Sequence, residues 1–154
     1  MSGKTGFFCL RRAEREDMKE IDKLYELLTG PYGGAKAEDD ARKEDMWRTL
    51  ADDPRQKVLV AEEEGRVIAT VTLIVIPNLG HGNKPWAAVE NLVVEEKFRG
   101  RGIGAKLLEE AARLARDAGS YKIVLSSNLL RKEAHAFYRH LGWQESHVGF
   151  SLEI

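Results

Sequence analysis

The nine residues FRGRGIGAK, 98–106, follow an apolar run, WAAVENLVV at 86–94, and precede a stretch whose apolar residues recur at helical spacing. Three of the nine, Gly100, Gly102 and Gly104, are glycines. Glycine presents bare backbone and takes backbone angles closed to other residues. A helix start adds unpaired N–H groups and the positive end of the macrodipole. Together these form a cradle for an anion, phosphate foremost. The stretch therefore predicts a strand, a turn able to hold an anion, and a helix.

Outward from that turn the rest of the chain falls into alternating elements. Downstream, Ile103, Leu107, Ala111, Leu114 and Ala118 form a helical stripe closed by Gly119. YKIVLSS (121–127) reads as a strand, LLRKEAHAFYRHL (129–141) as a helix ended by Gly142, and GWQESHVGFSLEI (142–154) as a last strand pair. Upstream, KVLVAEEEGRVIATVTLIVIP (57–77) predicts a hairpin about Glu64-Gly65, and NLGHGNKP (78–85) a loop. GFFCLRRA (6–13) predicts a first strand. Met18, Ile21, Leu24, Tyr25, Leu27 and Leu28 then place a helix over 16–28, stopped by Gly30-Pro31. GPYGGAKAEDD (30–40) is a polar connection; residues 38–50 predict a helix with Met46, Trp47 and Leu50 on its apolar side, broken by DDP. The order β-α-α-β-β-β-α-β-α-β-β, with no repeat, predicts one α/β domain over 1–154 built on a continuous sheet.

Composition narrows the function classes. Lys and Arg number 24 against 25 Asp and Glu, a net charge of −1, so no global field draws nucleic acid or an acidic membrane. Cys9 is the single cysteine, which excludes an intramolecular disulfide and fits a reducing compartment. The first seventeen residues lack the apolar core of a signal peptide, and the longest apolar run, 67–76, is too short to cross a bilayer. A cytoplasmic location is the expectation. His81, His135, His140 and His147 show no metal-ligand spacing, so no metal is expected.

Three readings of the glycine turn compete. A nucleotide triphosphatase loop needs Gly-Lys followed by Ser or Thr, which Gly104-Ala105-Lys106-Leu107 does not supply. Gly100-x-Gly102-x-x-Ala105 matches the dinucleotide fingerprint literally, but EEKFR separates it from the strand, and the next strand ends in Ser126-Ser127 rather than in an acid. An ordinary glycine-rich turn is the third. The surroundings favour none of these. VENLVVEEKFRGRGIGAKLLEEAARLARDAG, then YKIVLSS and AHAFYRHLGW, resemble the GCN5-related N-acetyltransferase (GNAT) family. Arg99-x-x-Gly102-x-Gly104 matches that family's acetyl-CoA loop, R/Q-x-x-G-x-G/A, and Phe137-Tyr138…Leu141-Gly142-Trp143 its terminal motif. The likeness spans 86 to about 144, and PNLGHGNKPWAAVENLVV leans toward small-molecule enzymes such as glucosamine-phosphate N-acetyltransferases.

The resemblance implies a GNAT fold: a mixed, mostly antiparallel sheet of six to seven strands with about four helices on its faces. It implies acetyl-CoA as cosubstrate and a homodimer. The backbone of Gly100, Arg101, Gly102, Ile103, Gly104 and Ala105 would surround the pyrophosphate, with charge from Arg99 and Arg101. The pantetheine amides would pair along Leu92, Val93 and Val94 as an added strand does.

Two polar residues in apolar surroundings are the catalytic candidates, because the acceptor amine must lose a proton and the departing thiolate benefits from one. Strict alternation puts Ala88, Glu90, Leu92 and Val94 on one face of the strand, and Val89, Asn91 and Val93 on the other. A carboxylate there is paired, holds a cationic substrate, or acts as a base. Tyr138 lies on the face Leu130, Ala134, Phe137, Tyr138, Leu141. It packs the core or, by its place in the terminal motif, donates a proton to sulfur. Asn128 contacts the cofactor or caps the helix, Arg131 and Lys132 reach a phosphate or solvate the helix start, and His135 orients Tyr138 or faces solvent. The expected activity is acetyl transfer to a small primary amine by direct attack in a ternary complex. The alternatives are a CoA-binding sensor or assembly module, and a protein N-terminal or lysine acetyltransferase.

Overall fold

Glu64 and Gly65 both take left-handed backbone angles, φ 51° and 75°, which is the two-residue turn that matches the twist of a hairpin. They join β2 (Gln56–Glu63) to β3 (Arg66–Ile76) with Glu63 facing Arg66. The computed structural model describes residues 7–29 and 40–154. On one side of the hairpin lies β1 (Cys9–Arg12), antiparallel to β2, and on the other β4 (Trp86–Val94), antiparallel to β3. β5 (Ile123–Leu125) follows β4 in the order β1-β2-β3-β4-β5. Tyr121 N–H donates to the Pro85 carbonyl and Ala87 N–H to the Lys122 carbonyl, so the two chains advance in the same sense and the sheet is mixed.

The ladder slips twice. Ala61 faces Ala69 but Glu62 faces Val67, which leaves Ile68 as an extra residue. Thr72 faces Glu90 while Thr70 faces Val93, so Val71 stands against two residues, Asn91 and Leu92. Asn91 holds φ 56° at this bulge, and Asn tolerates the left-handed region better than most side chains. A bulge reverses the inside–outside parity beyond it. Glu90 thus shares a face with Val93, Thr70 and Thr72, which corrects the strict alternation that grouped it with Leu92 and Val94.

Each face of the sheet carries a helix. α1 (Met18–Thr29) packs Ile21, Leu24, Tyr25 and Leu28 against Val58, Val60, Val67 and Val93. The alternate positions, Leu59, Ala61, Ala69, Val71, Leu73, Ala87 and Val89, are also buried and point the other way. There α4 (Ile103–Asp117), which touches β2, β3 and β4, lays down Ile103, Leu107, Leu108, Ala111 and Ala115. A single 3-10 turn, Arg15–Asp17, leads into α1. Asp17, buried there, accepts from Arg11 at 2.6 and 2.9 Å and from the Glu14 N–H at 2.7 Å. The Arg11 bond holds its carboxyl below the usual carboxylate range.

The chain divides into two compact units, 1–124 and 125–154, with β5 astride the division. The second unit holds α5 (Lys132–His140), stopped by Gly142 at φ 85°. The remaining helices are α2 (Asp40–Asp52) and the four-residue α3 (Gly80–Asn83). α3 is a left-handed turn, with φ 51°, 70° and 60° at His81, Gly82 and Asn83.

Five strands and five helices among the described residues replace the six to seven strands and about four helices expected. The missing pair is the predicted terminal one: no strand forms in 142–154, and Val148, Phe150, Leu152 and Ile154 are all exposed. Alternation gives a segment strand character, but a strand exists only with a partner. Met46, expected on the apolar side of α2, is 55% exposed. The stop at Gly30-Pro31 and the connection up to residue 39 lie outside the described residues.

Candidate active site

The glycine turn begins where β4 ends. A 3-10 turn, Glu96–Phe98, carries the chain to Gly100 at φ 76° and Gly102 at φ 78°, ψ 6°. Gly102 caps α4, and the first bond of that helix runs from Lys106 N–H to the Gly102 carbonyl at 3.0 Å. The N–H groups of Ile103, Gly104 and Ala105 precede that bond and have no partner within the helix. A Cβ built at Gly100 or Gly102 meets no atom within 4 Å. Glycine is required here by backbone angle and not by crowding. Gly104 is different: it is buried within the first helical turn.

Arg99 and Arg101 shape this turn. Arg99 Nε donates to the Val94 carbonyl at 3.0 Å, tying the turn to the end of β4. Arg101 donates to both oxygens of Glu63 on β2, at 2.7 and 3.1 Å. Its guanidinium stands 5.4 Å from the centre of the Phe98 ring, which Lys97 and Arg66 also approach, at 4.9 and 5.8 Å. Both arginines remain exposed, so they present positive charge while bracing the loop.

β4 supplies the strand edge and the carboxylate. It has nine residues against three in β5. The bonds at Ala87 and Tyr121 start their pairing at the N-terminal end of β4, so β5 stops short of Leu92, Val93 and Val94. Glu90 faces Thr72 just before the bulge. Its carboxylate makes no hydrogen bond or ion pair with any described residue, which leaves pairing without support as the reason for its place. Desolvation alone acts on it and pushes its pKa up. Glu90 is exposed, and a carboxylate raised in this way holds a proton more firmly than an ordinary glutamate does.

In the second unit Tyr138 is half-buried on α5, with ring centres 5.3 Å from Phe137 and 6.3 Å from Trp143. Its carbonyl accepts from the N–H of Leu141 and Trp143, at 3.1 and 3.0 Å. Asn128 does not cap the helix, because Arg131 holds that position. Instead Asn128 Oδ1 accepts from Leu130 N–H at 2.9 Å, and its carbonyl from Arg131 N–H at 3.0 Å. His135 Nε2 lies 2.9 Å from that same carbonyl, so its hydrogen bond serves the turn before the helix. Arg131 and Lys132 are exposed. Within the first unit Glu90, the glycine turn and the C-terminal end of β4 lie on one continuous stretch. Asn128 and Tyr138 share the second.

Sequence reasoning missed the surroundings of Glu90. Tyr25, assigned to the core face of α1, packs against the cluster that holds Val93 on the face of Glu90, and burial pushes its phenol pKa up. An Asn beside a Glu inside an apolar run was the available signal.

A family model described as the acetyltransferase (GNAT) family matches residues 21–143. The chain belongs to the GNAT acetyltransferase family. It is 36% identical over 103 residues to the aminoalkylphosphonate N-acetyltransferase of Salmonella typhimurium, covering 66% of each chain. It is 28% identical over 98 residues to the glucosamine 6-phosphate N-acetyltransferase of Trypanosoma brucei brucei, covering 64% of this chain and 65% of that one. The matches thus span just under two thirds of these relatives' own length. Among solved structures, a putative acetyltransferase from Agrobacterium tumefaciens superposes with a TM-score of 0.84 at 31% identity, over 95% of this chain and 99% of the other. The family resemblance read from the glycine turn and the terminal motif is borne out. Among the described residues no cluster of His, Cys, Asp and Glu is placed to hold a metal, and no helix is long and apolar enough to cross a membrane.

Proposed function

We propose that this GNAT protein transfers an acetyl group from acetyl-CoA to the primary amine of a small molecule that also carries a phosphate or phosphonate, by direct attack in a ternary complex. The family match crosses the division between the two units, which supports reading residues 1–154 as one acetyltransferase domain. The acceptor class rests on the two relatives, whose names join an amine to a phosphorus oxyanion.

The single observation that carries the donor is the glycine turn. Two left-handed glycines open a helix whose first N–H groups have no internal partner, and no Cβ crowds the approach. Acetyl-CoA brings a pyrophosphate for that turn and a thioester for the reaction. Gly100 to Ala105 hold the pyrophosphate by backbone donors, with Arg99 and Arg101 adding charge. The backbone of Leu92, Val93 and Val94 binds the pantetheine amides as a strand would. Glu90, unpaired and with a raised pKa, draws a proton from the acceptor ammonium, directly or through water. Tyr138 donates its phenolic proton to the departing sulfur. Asn128, with Oδ1 already committed to the Leu130 N–H, contributes through its side-chain amide.

Thiol release from acetyl-CoA tests the proposal, with glucosamine 6-phosphate, 2-aminoethylphosphonate, their phosphorus-free counterparts and a panel of peptide amines. Turnover is expected with the phosphorus-bearing amines and at least tenfold less with the others. Tight acetyl-CoA binding without turnover on any amine would instead support a sensor or assembly module. Preference for peptide amines would move the protein to the protein acetyltransferases.

A further inference from the structure

The face of the sheet that bears Glu90 continues past α1. Thr72 faces Glu90, Ile74 faces Ala88 and Ile76 faces Trp86, and partners across a ladder point to the same side. At one end of this face Val58, Val60, Val67 and Val93 lie under Ile21, Leu24, Tyr25 and Leu28. Ile74, Ile76, Trp86 and Ala88 lie beyond that cluster and are half-buried. They make an apolar floor with Glu90 at its inner end. The outer end carries a positive charge. Ala87 N–H donates to the Lys122 carbonyl at 2.9 Å, which sets Lys122 beside this end of β4. Its Nζ stands 5.9 Å from the centre of the Trp86 ring and 5.5 Å from that of Tyr121. The Tyr121 ring is itself stacked on His81, with centres 4.2 Å apart. Lys122 is exposed, and it makes no ion pair with any described residue.

We propose that this floor is the acceptor subsite, with Glu90 meeting the ammonium and Lys122, held by the rings of Trp86 and Tyr121, meeting the phosphorus oxyanion. The assignment rests on the acetyltransferase reading above and puts its phosphate preference on named residues. Charge selects the occupant. A carboxylate and an ammonium at opposite ends of an apolar strip fit an amine that carries an oxyanion, and fit it in one direction only. From Ala87 to Glu90 the strand covers about 10 Å, a gap that two long side chains and one small zwitterion bridge. The aromatic faces attract the Lys122 ammonium through their quadrupoles without neutralising it, as a carboxylate partner would. A lysine held in this way keeps its N–H groups for an arriving anion. Between the charges Ala88 and Ile74 offer no side-chain hydrogen bond, so the apolar body of the acceptor lies there.

The test uses Lys122→Met, Trp86→Leu and Trp86→Phe with thiol release from acetyl-CoA. It compares glucosamine 6-phosphate with glucosamine, and 2-aminoethylphosphonate with propylamine. Lys122 is exposed, so its replacement is compatible with folding, and thermal melts check each variant. Lys122→Met is expected to lower the kcat/KM ratio of each phosphorus-bearing amine to its counterpart by about tenfold or more, the scale of a lost hydrogen bond to a charged group. The loss should fall chiefly on acceptor KM. Trp86→Leu should lower the same ratio about two- to fivefold through the missing ring face, and Trp86→Phe should restore most of it. A ratio that keeps its wild-type value in Lys122→Met overturns the subsite whatever happens to the absolute rates, because a merely structural lysine affects both amines of a pair alike. A wild type that turns over amines without preferring those with phosphorus overturns it too. Should wild type release no thiol with any of these amines, the acetyltransferase reading fails by itself, and titration calorimetry with glucosamine 6-phosphate and 2-aminoethylphosphonate decides the subsite. Binding that weakens about tenfold in Lys122→Met supports it; equal binding, or none in wild type, overturns it.

Discussion

Replacing Gly102 with alanine separates what the glycine turn needs from what it binds. The residue caps α4 at φ 78°, ψ 6°, and a Cβ added there touches nothing within 4 Å. Steric clash within the protein is therefore absent, and the cost is conformational: roughly 1–2 kcal/mol for an alanine held left-handed. For a chain of this length that is about 2–8 °C in Tm. Two responses are open to the loop. It keeps its angles and pays in stability, or it relaxes and turns the N–H groups of Ile103, Gly104 and Ala105 away from the anion. In either case a methyl now stands on the face that should meet the pyrophosphate. Titration calorimetry with acetyl-CoA, alongside thermal melts, should show both a lower Tm and at least tenfold weaker binding. Gly102→Asn divides the two effects, since asparagine accepts the left-handed angle: Tm should recover while affinity stays low. A Gly102→Ala protein that melts lower yet binds acetyl-CoA like wild type would refute the phosphate role, and an unchanged Tm would refute the conformational argument.

The other perturbations concern proton transfer and the fold. Glu90→Gln should cut kcat/KM and abolish its acid limb. Because the folded-state pKa of Glu90 is raised, the wild type loses stability as pH climbs from the ordinary carboxylate range through that raised value. Glu90 is exposed, so water screens most of this loss, and the glutamine variant should melt at or slightly above wild type at pH 7.5. Tyr138→Phe should lower kcat by about 10² to 10⁴ with acetyl-CoA affinity near wild type, and should hurt an activated thioester less; equal kcat values with acetyl-CoA would remove the acid role. Asp17→Asn should cost about 2–4 kcal/mol in urea unfolding, less than a fully buried pair because Arg11 keeps some water. The lowered pKa of Asp17 makes that stabilisation complete above the usual carboxylate range and lost as pH falls through the folded value, so the variant's stability should vary less with acid than wild type's.

The family was legible because its mark is local: Arg99, Gly102 and Gly104 act through backbone angles and helix-end donors that a short stretch encodes. Hairpin and helix positions were legible for the same reason, as at Glu64-Gly65 and along Ile103, Leu107 and Ala111. What escaped depends on pairing. Val148, Phe150, Leu152 and Ile154 alternate like a strand, yet alternation says nothing of whether a neighbour is present to bond with. Glu90 was found by its chemistry, but its face was not. That depended on Asn91 taking an angle available to asparagine and required only by the register of β3.

The register of β4 also bears on how this protein can vary. Between Thr70 and Thr72 the chain has one residue, and between their partners Val93 and Glu90 it has two. Removing Asn91 would give an uninterrupted ladder, with every flanking pair of residues preserved and the left-handed angle gone. A one-residue deletion should therefore fold as well as the parent while losing the irregularity beside Glu90. The feature is a matter of chain length, and its identity as asparagine is secondary. Scanning the strand one substitution at a time would test every side chain in it and still miss the property that sets it apart, which only insertions and deletions can change.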